Sequence, residues 1–168
     1  VGGDVVGQQR ERAHAAQAFG LVAKKAGGLD VFLRLAGRRG GIVGGGAIAT
    51  THFKTLSTIE YVKVIGVYDV LPDRAAEFAT QHHVTAYPTL DALLEKVDAI
   101  YICTFPQAHR EAAVRAAAAG VHICSEKPLA KTVEDGLAIQ EAVERAGITF
   151  MVAFPFRFIA SFMRLKEL

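Results

Sequence analysis

The sequence is poor in the residues that mark several special classes of protein. Its 168 residues include no tryptophan, two cysteines and five prolines, which argues against a disulfide scaffold and a collagen-like chain. No stretch approaches the roughly 20 consecutive apolar residues of a membrane helix, and the first residues lack the apolar core and cleavage site of a signal peptide. A content of 51% hydrophobic and 21% charged residues is ordinary for a globular domain. We therefore expect a cytoplasmic protein with no membrane partner.

An excess of positive charge is confined to the start of the chain. Residues 1–40 carry seven Lys or Arg against three Asp or Glu, whereas residues 41–168 carry twelve against fourteen. A nucleic-acid-binding domain needs a basic face, and the larger part of this chain is slightly acidic. We therefore expect no nucleic-acid partner.

Residues 1–39 show no candidate chemistry. An Ala-rich stretch over residues 8–25 has the apolar spacing of a short amphipathic helix. We interpret residues 1–39 as an N-terminal extension or a misassigned gene start, with a basic partner-binding arm as the alternative. The chain begins with Val rather than Met, which fits a fragment or an uncertain start.

The cysteines and the adjacent histidines lack the spacing of a metal site. Cys103 and Cys124 lie 21 residues apart in two apolar, strand-like runs. Because structural disulfides are uncommon in reducing compartments, we predict two buried free thiols. His82 and His83 have no third ligand at metal spacing. We predict that both lie on the surface and that no metal is bound.

From Gly40 onward, β-branched runs alternate with Ala-rich helical stretches, a pattern typical of βαβ units and a parallel sheet. The predicted strands cover residues 41–43, 62–68, 84–87, 99–104, 121–125 and 149–154. The predicted helices cover residues 47–56, 72–80, 90–95, 107–119 and a last segment that begins at a capping box of Thr132 and Asp135 and ends at Gly147. Right-handed crossovers then predict an α/β fold, a doubly wound sheet in the order 3-2-1-4-5-6.

The turn after the first predicted strand has the spacing of a dinucleotide-binding turn. It reads Gly44-Gly45-Gly46-Ala47-Ile48-Ala49, which is G-x-G-x-x-A. The first glycine permits a tight turn, the second lets a pyrophosphate approach the backbone at the positive end of a helix, and the small last residue allows close packing. An ordinary glycine-rich loop is the alternative. The candidate cofactor-binding residues of the turn are Gly44, Gly46, Ala47, Ile48 and Ala49.

An acidic residue follows the second predicted strand. Asp69 lies 20 residues beyond Ala49, where a carboxylate can accept hydrogen bonds from a ribose diol and repel a 2′-phosphate. Because Val70 rather than an arginine follows it, the sequence favours NAD over NADP, although Arg74 one helical turn later could soften that preference. A helix cap before Pro72 is the alternative role of Asp69.

A charged segment follows the fifth predicted strand, whose carboxyl end faces the ligand crevice of a doubly wound sheet. It reads Ser125-Glu126-Lys127-Pro128, and by itself it could also be a solvated turn. Together with the glycine turn, Asp69, His109 and Phe156-Arg157-Phe158, it resembles the Gfo/Idh/MocA family of oxidoreductases. The resemblance covers residues 40–168.

The resemblance implies the nicotinamide-binding half of an enzyme that transfers hydride between the cofactor and a CH–OH group of a sugar or polyol. It implies that Lys127 is catalytic and orients the substrate hydroxyl or assists its proton transfer. A desolvated lysine with a lowered pKa can exchange protons near neutrality. Glu126 would help to place the nicotinamide ribose. The resemblance further implies cofactor contacts for Thr104, Pro106, His109, Lys127 and Arg157. His109 could instead make only a hydrogen bond at a helix start, and Arg157 could instead tie the two domains together.

The resemblance also divides the chain. Residues 40–157 would form the dinucleotide-binding Rossmann domain, and residues 158–168 would begin a truncated second domain that selects the substrate and makes the complete protein a homo-oligomer. We expect this chain alone to bind NAD weakly and to catalyse little. The alternatives are a stand-alone NAD-binding sensor without turnover and an S-adenosylmethionine methyltransferase, which would not need the Glu-Lys-Pro segment.

Overall fold

Strands and helices alternate along the chain in the computed structural model, which describes residues 39–154 and 164–165. The strands are β1 (Arg39–Val43), β2 (Lys63–Tyr68), β3 (Thr85–Ala86), β4 (Ala99–Ile102), β5 (His122–Ser125) and β6 (Phe150–Val152). The helices are α1 (Ala47–Leu56), α2 (Pro72–His82), α3 (Leu90–Leu94), α4 (Pro106–Ala118) and α5 (Val133–Ala146).

The six strands form one parallel sheet in the order β3-β2-β1-β4-β5-β6, which confirms the predicted topology. The last residue of β1, Val43, pairs with Tyr68 of β2 on one side and with Ile102 of β4 on the other. The carboxyl ends of these strands therefore meet at one edge. The strand order reverses between β1 and β4, and in doubly wound sheets the ligand crevice lies at this point of the carboxyl edge.

Each face of the sheet carries its own apolar core, because successive side chains of a buried strand point to opposite faces. Ile42 of β1 and Tyr101 of β4 belong to one core, and their neighbours Val43 and Ile100 belong to the other. All four residues of β4 are buried, as expected for a central strand covered by helices on both faces.

Some predicted boundaries were wrong by one or two residues. β1 begins at Arg39 because its backbone N–H and its guanidinium both donate to the Asp98 carboxylate, at 3.0 and 2.7 Å. β4 ends at Ile102, since the chain must turn before Pro106 starts α4. β3 is reduced to two exposed residues at the edge of the sheet.

The predicted capping box at the start of α5 forms in part. The Thr132 hydroxyl accepts the Asp135 N–H at 3.1 Å, as expected. The Asp135 carboxylate, however, accepts a hydrogen bond at 3.1 Å from Arg110 of α4, so it joins two helices. Gly147 ends α5 with a positive φ of 66°, which a glycine adopts without strain.

Both cysteines are buried and free, as predicted. Burial raises the pKa of the Cys103 and Cys124 thiols, which keeps both protonated. Of the two histidines predicted at the surface, His83 is exposed, whereas His82 is partly buried, with its ring 4.2 Å from that of Phe53 and 4.4 Å from that of Phe78. Its partial burial lowers its pKa, with Lys54 and His83 adding to the effect.

Several sequence predictions fall outside the described residues. The N-terminal extension up to residue 38, Arg157, and the start of a second domain apart from residues 164–165 stay predictions. Within residues 39–154 and 164–165, no helix has the length and apolar character to cross a membrane.

Gly66 of β2 offers a test of how closely Tyr87 and β3 pack against β2. A Cβ at Gly66 would overlap the Tyr87 ring and lie 2.8 Å from the Thr85 carbonyl oxygen. We expect Gly66→Ala to lower the free energy of unfolding by about 1–3 kcal/mol, as overpacked cores do. Urea denaturation measures the change.

Gly136 provides the matched control within α5. A Cβ there makes only an ordinary 3.6 Å contact with Leu129, so Gly136→Ala should leave stability unchanged or raise it by up to about 1 kcal/mol. Equal urea midpoints for Gly66→Ala and the native chain would contradict the packing described for β2 and β3.

Candidate functional site

The glycine turn joins β1 to α1 at the edge where the strands end. Gly44 has a φ of +93°, and its N–H donates to the Tyr68 carbonyl oxygen at 2.8 Å. A Cβ on Gly44 would lie 2.9 Å from Thr104 Cγ2 and 3.1 Å from the Cys103 carbonyl. The tight turn therefore requires glycine at this position, as the sequence predicted.

The second glycine of the motif has a different environment. Gly46 has an ordinary φ of −79°, and a Cβ placed on it would meet nothing within 4 Å. The space beside its backbone is therefore open to a ligand.

The start of α1 is suited to an anion. Gly46 is the N-cap residue, no side chain caps the helix, and the first turn contains no acidic residue. Ala47 and Ile48 are exposed in that turn, whereas Ala49 is fully buried against the sheet. Unsatisfied N–H groups and the helix dipole make such a terminus attractive to phosphate.

Asp69 lies beside this turn at the end of β2, with 3% of its side chain exposed. Its carboxylate accepts the Gly45 N–H at 2.8 Å and the Leu71 N–H at 2.9 Å. Leu71 is the N-cap residue of α2 and no side chain caps that helix, so Asp69 fixes the turn before α2 and is not a helix cap. The Arg74 guanidinium lies 3.7 Å from the same carboxylate. The predicted contact of Asp69 with a ribose stays a prediction.

His52, a buried histidine that the sequence analysis did not single out, contacts Glu126. His52 Nε2 of α1 lies 2.7 Å from Glu126 Oε1, and the two side chains are 7% and 13% exposed. Glu126 Oε2 also accepts the Lys127 N–H at 3.1 Å. Burial raises the pKa of Glu126, but the hydrogen bond and charge of His52, with the N–H and charge of Lys127, outweigh it and lower the pKa overall. An ionised carboxylate therefore lies at the crevice.

His52 did leave a signal in the sequence. It lies three residues after Ala49 and four before Leu56, on the face of α1 that is buried. A polar side chain on a buried helix face needs a hydrogen-bond partner. Its partner Glu126 is 74 residues away in the chain, so only the fold could identify it.

His109 connects the loops that follow β4 and β5. Its ring is fully buried, with Nε2 at 3.1 Å from the Thr104 carbonyl oxygen and Nδ1 at 3.2 Å from that of Leu129. These contacts match the alternative given for His109, a hydrogen bond near the start of a helix. Thr104 lies in the loop after β4 and Pro106 begins α4, and the Thr104 hydroxyl is buried with no hydrogen-bond partner in the described part of the chain. The predicted cofactor contacts of these residues stay predictions.

Lys127 is exposed near the start of the loop that joins β5 to α5. Its peptide bond to Pro128 is cis. The described residues do not bury this side chain, so they do not supply the desolvation expected of a proton-transferring lysine.

The opposite edge of the sheet, where the strands begin, carries several acidic side chains. A concavity of about 640 Å³ there is lined by residues that include Asp91, Glu95, Asp98 and His122. Its acidic side chains repel phosphate groups. In the part of the chain that the structure describes, no three His, Cys, Asp or Glu side chains are grouped to hold a metal ion.

Comparison with known proteins decides the family. The Gfo/Idh/MocA family model, which describes an oxidoreductase family with an NAD-binding Rossmann fold, matches residues 38–154. The chain belongs to this family. Membership in the Gfo/Idh/MocA oxidoreductases confirms the resemblance read from the glycine turn and the segment 125–128.

Relatives in the Gfo/Idh/MocA family include sugar and polyol dehydrogenases. The chain is 32% identical over 130 residues to a myo-inositol 2-dehydrogenase of Thermotoga maritima, an alignment that covers 76% of this chain and 39% of that protein. It is 28% identical over 128 residues to the glucose-6-phosphate 3-dehydrogenase of Bacillus subtilis, covering 76% and 37%.

A solved relative contains a nicotinamide cofactor. The WlbA dehydrogenase of Bordetella pertussis, in complex with NADH and UDP-GlcNAcA, matches with a TM-score of 0.74 and 26% identity, over 77% of this chain and 38% of that chain. The present chain thus spans about two fifths of the length of the relatives it matches.

The Glu126 carboxylate makes stability depend on pH. Because folding lowers its pKa, the carboxylate stabilises the fold above the unfolded-state pKa, and this contribution is lost as the pH falls through the lowered folded-state value. We expect Glu126→Gln to be about 1–3 kcal/mol less stable than the native chain near neutral pH. The difference, measured by urea denaturation, should shrink in acid.

Glu141→Gln is the matched control, since Glu141 is exposed and pairs with Arg145 on the surface of α5. Such a pair contributes about 0.5 kcal/mol, so its removal should have little effect at any pH. If the difference in the free energy of unfolding between the native chain and Glu126→Gln stays constant from neutral to acid pH, the ionised Glu126 carboxylate does not stabilise the fold.

Proposed function

We propose that this chain is the dinucleotide-binding half of an oxidoreductase that transfers hydride between a nicotinamide cofactor, preferably NAD, and a CH–OH group of a sugar or polyol. The open backbone at Gly46 is the observation that carries the proposal. A Cβ there would fill the space that a pyrophosphate needs. The dehydrogenase relatives and the NADH bound to the WlbA dehydrogenase support the same cofactor and substrate class.

The residues around the crevice fit a dinucleotide in chemical type. The uncapped start of α1 suits the pyrophosphate, and Asp69 lies where the adenosine ribose would bind. The buried Thr104 hydroxyl, for which the described residues offer no partner, suits a polar group of the ligand. These groups lie at the carboxyl ends of β1, β2 and β4, which is where a doubly wound sheet binds its ligand.

The bound nicotinamide supplies the hydride acceptor, and the protein positions the groups around it. Glu126, held ionised by His52, places the nicotinamide ribose. Lys127 binds the substrate hydroxyl and takes its proton at Nζ as the carbinol is oxidised. Further parts of the complete protein would exclude water from Lys127, select the substrate and form a homo-oligomer.

The alternative is an NAD-binding sensor without turnover. The exposure of Lys127 favours it, because the described residues do not shield the ammonium group from water, as a proton-transferring lysine requires. Both proposals place the protein in the cytoplasm, where its two buried thiols remain reduced. They differ in whether Lys127 contributes to a reaction.

Substitution at Gly46 separates cofactor binding from folding. Its φ of −79° suits any residue and a Cβ meets nothing within 4 Å, so Gly46→Ala should fold with native stability. We expect it to weaken NADH binding at least about tenfold, equivalent to about 1.4 kcal/mol, because the methyl group occupies the approach to the backbone. Fluorescence titration measures the affinity.

Gly136→Ala serves as the control and should bind NADH like the native chain, since Gly136 lies within α5 away from the turn. The proposal fails if Gly46→Ala and the native chain bind NADH with the same affinity, or if the native chain binds none.

Replacement of Lys127 distinguishes the enzyme from the sensor. In a complete protein with turnover, we expect Lys127→Ala to lower kcat by about 10²–10⁴-fold, the usual contribution of proton transfer. NADH affinity should change less than about threefold, because the lysine contacts the substrate rather than the pyrophosphate. Steady-state kinetics and NADH titration together test this. Unchanged kcat would remove Lys127 from the mechanism.

A further inference from the structure

We propose that residues 31–38 of this chain bind in the concavity at the edge of the sheet where the strands begin, with apolar side chains on its floor and arginines among its carboxylates. This inference goes beyond the proposed function, since the concavity lies opposite the glycine turn and the family model matches only from residue 38. It gives the segment 31–38 a partner within the same chain, instead of the separate partner considered from the sequence.

The concavity combines an apolar floor with a charged rim. Its volume of about 640 Å³ is in the range of sites that enclose a ligand. Leu94, Val97 and Val121 line it and belong to the buried core on that face of the sheet, so they form the floor. The side chains of Asp91 and Glu95 line it as well and are 69% and 71% exposed. Such a surface suits an occupant that is both apolar and cationic.

The described residues neutralise the rim carboxylates incompletely. Arg115 is shared between two carboxylates, with Asp91 at 2.7 Å and Glu111 at 2.9 Å. Lys96 Nζ lies 4.0 Å from Glu95 Oε2, which is longer than a hydrogen bond. Helix α4 ends beside the concavity, and the negative end of its dipole adds to the field of the carboxylates. A further cation is therefore favoured at this rim.

The segment 31–38 has the composition that this concavity suits. It reads VFLRLAGR, with four large apolar residues, two arginines and no acidic residue. Its apolar side chains gain free energy when they leave water. Its charge of +2 is opposite to that of Asp91 and Glu95.

The course of the chain brings this segment to the concavity. Arg39, the residue that follows it, donates its backbone N–H at 3.0 Å to the carboxylate of Asp98, which lines the concavity. An extended chain spans at most about 3.5 Å per residue, so Val31 lies within about 28 Å of Arg39. A tether this short gives the segment an effective concentration in the millimolar range. A second copy of the chain, present at micromolar concentration, competes poorly with it.

Hydrogen exchange of the full chain tests the inference. We expect the amides of residues 31–38 to exchange at least about 30-fold more slowly than in the unfolded chain, because docking protects them. Phe32→Asp should raise their exchange at least about tenfold, since the apolar contact with the floor is lost. Glu95→Lys should raise it at least about threefold, because a cation replaces a carboxylate at the rim.

Two matched controls make the same changes elsewhere. Phe19→Asp alters an apolar residue that precedes the docked segment, and Glu141→Lys reverses a charge that is 73% exposed on α5. Both should leave the exchange of residues 31–38 unchanged. In the amide NMR spectrum, Phe32→Asp should shift the signals of Gly120, Val121 and His122, which line the concavity, and Phe19→Asp should not.

Three results would overturn the inference. The first is exchange of residues 31–38 in the native chain at the rate of the unfolded chain. The second is an unchanged position of the signals of Gly120, Val121 and His122 in Phe32→Asp. The third is protection that appears only as the protein concentration rises, which would show that a second copy occupies the concavity.

Discussion

The buried carboxylate of Asp69 holds together the three segments that build the crevice. It lies at the end of β2, accepts the N–H of Gly45 in the turn after β1, and accepts the N–H of Leu71 at the start of α2. A buried carboxylate without such donors costs several kcal/mol, so the turn cannot shift away without a large penalty. The bond directs the Gly45 N–H towards Asp69, and the backbone of the next residue, Gly46, lies beside open space.

Two buried histidines provide the same kind of constraint on the other side of the crevice. His52 holds the side chain of Glu126 at 2.7 Å, and His109 spans the carbonyl oxygens of Thr104 and Leu129 at 3.1 and 3.2 Å. The loop that carries Lys127 is thus held at Glu126 and at Leu129. A loop fixed by side chains from α1 and α4 has little conformational freedom to lose when a ligand binds, which favours binding.

The features predicted well were those encoded by local pattern. The strand order followed from the alternation of β-branched and Ala-rich runs, and Gly44 could be assigned because only glycine fits its φ of +93°. The pairing of His52 with Glu126 could not be predicted, since it joins residues 74 apart that only the sheet brings together. The same limit applied to the N–H groups of Gly45 and Leu71 that donate to Asp69, and to the packing of the His82 ring against Phe53 and Phe78.

Amide NMR of the isotope-labelled chain during titration with NADH locates the ligand directly. A dinucleotide seated on the turn should shift the amide signals of Gly46, Ala47 and Ile48 in a saturable manner, because its pyrophosphate lies against their N–H groups. The signals of Asp98 and His122, at the opposite edge of the sheet, should stay in place. Shifts confined to that opposite edge, or no saturable shift at Gly46 to Ile48, would contradict a nicotinamide dinucleotide site at the glycine turn.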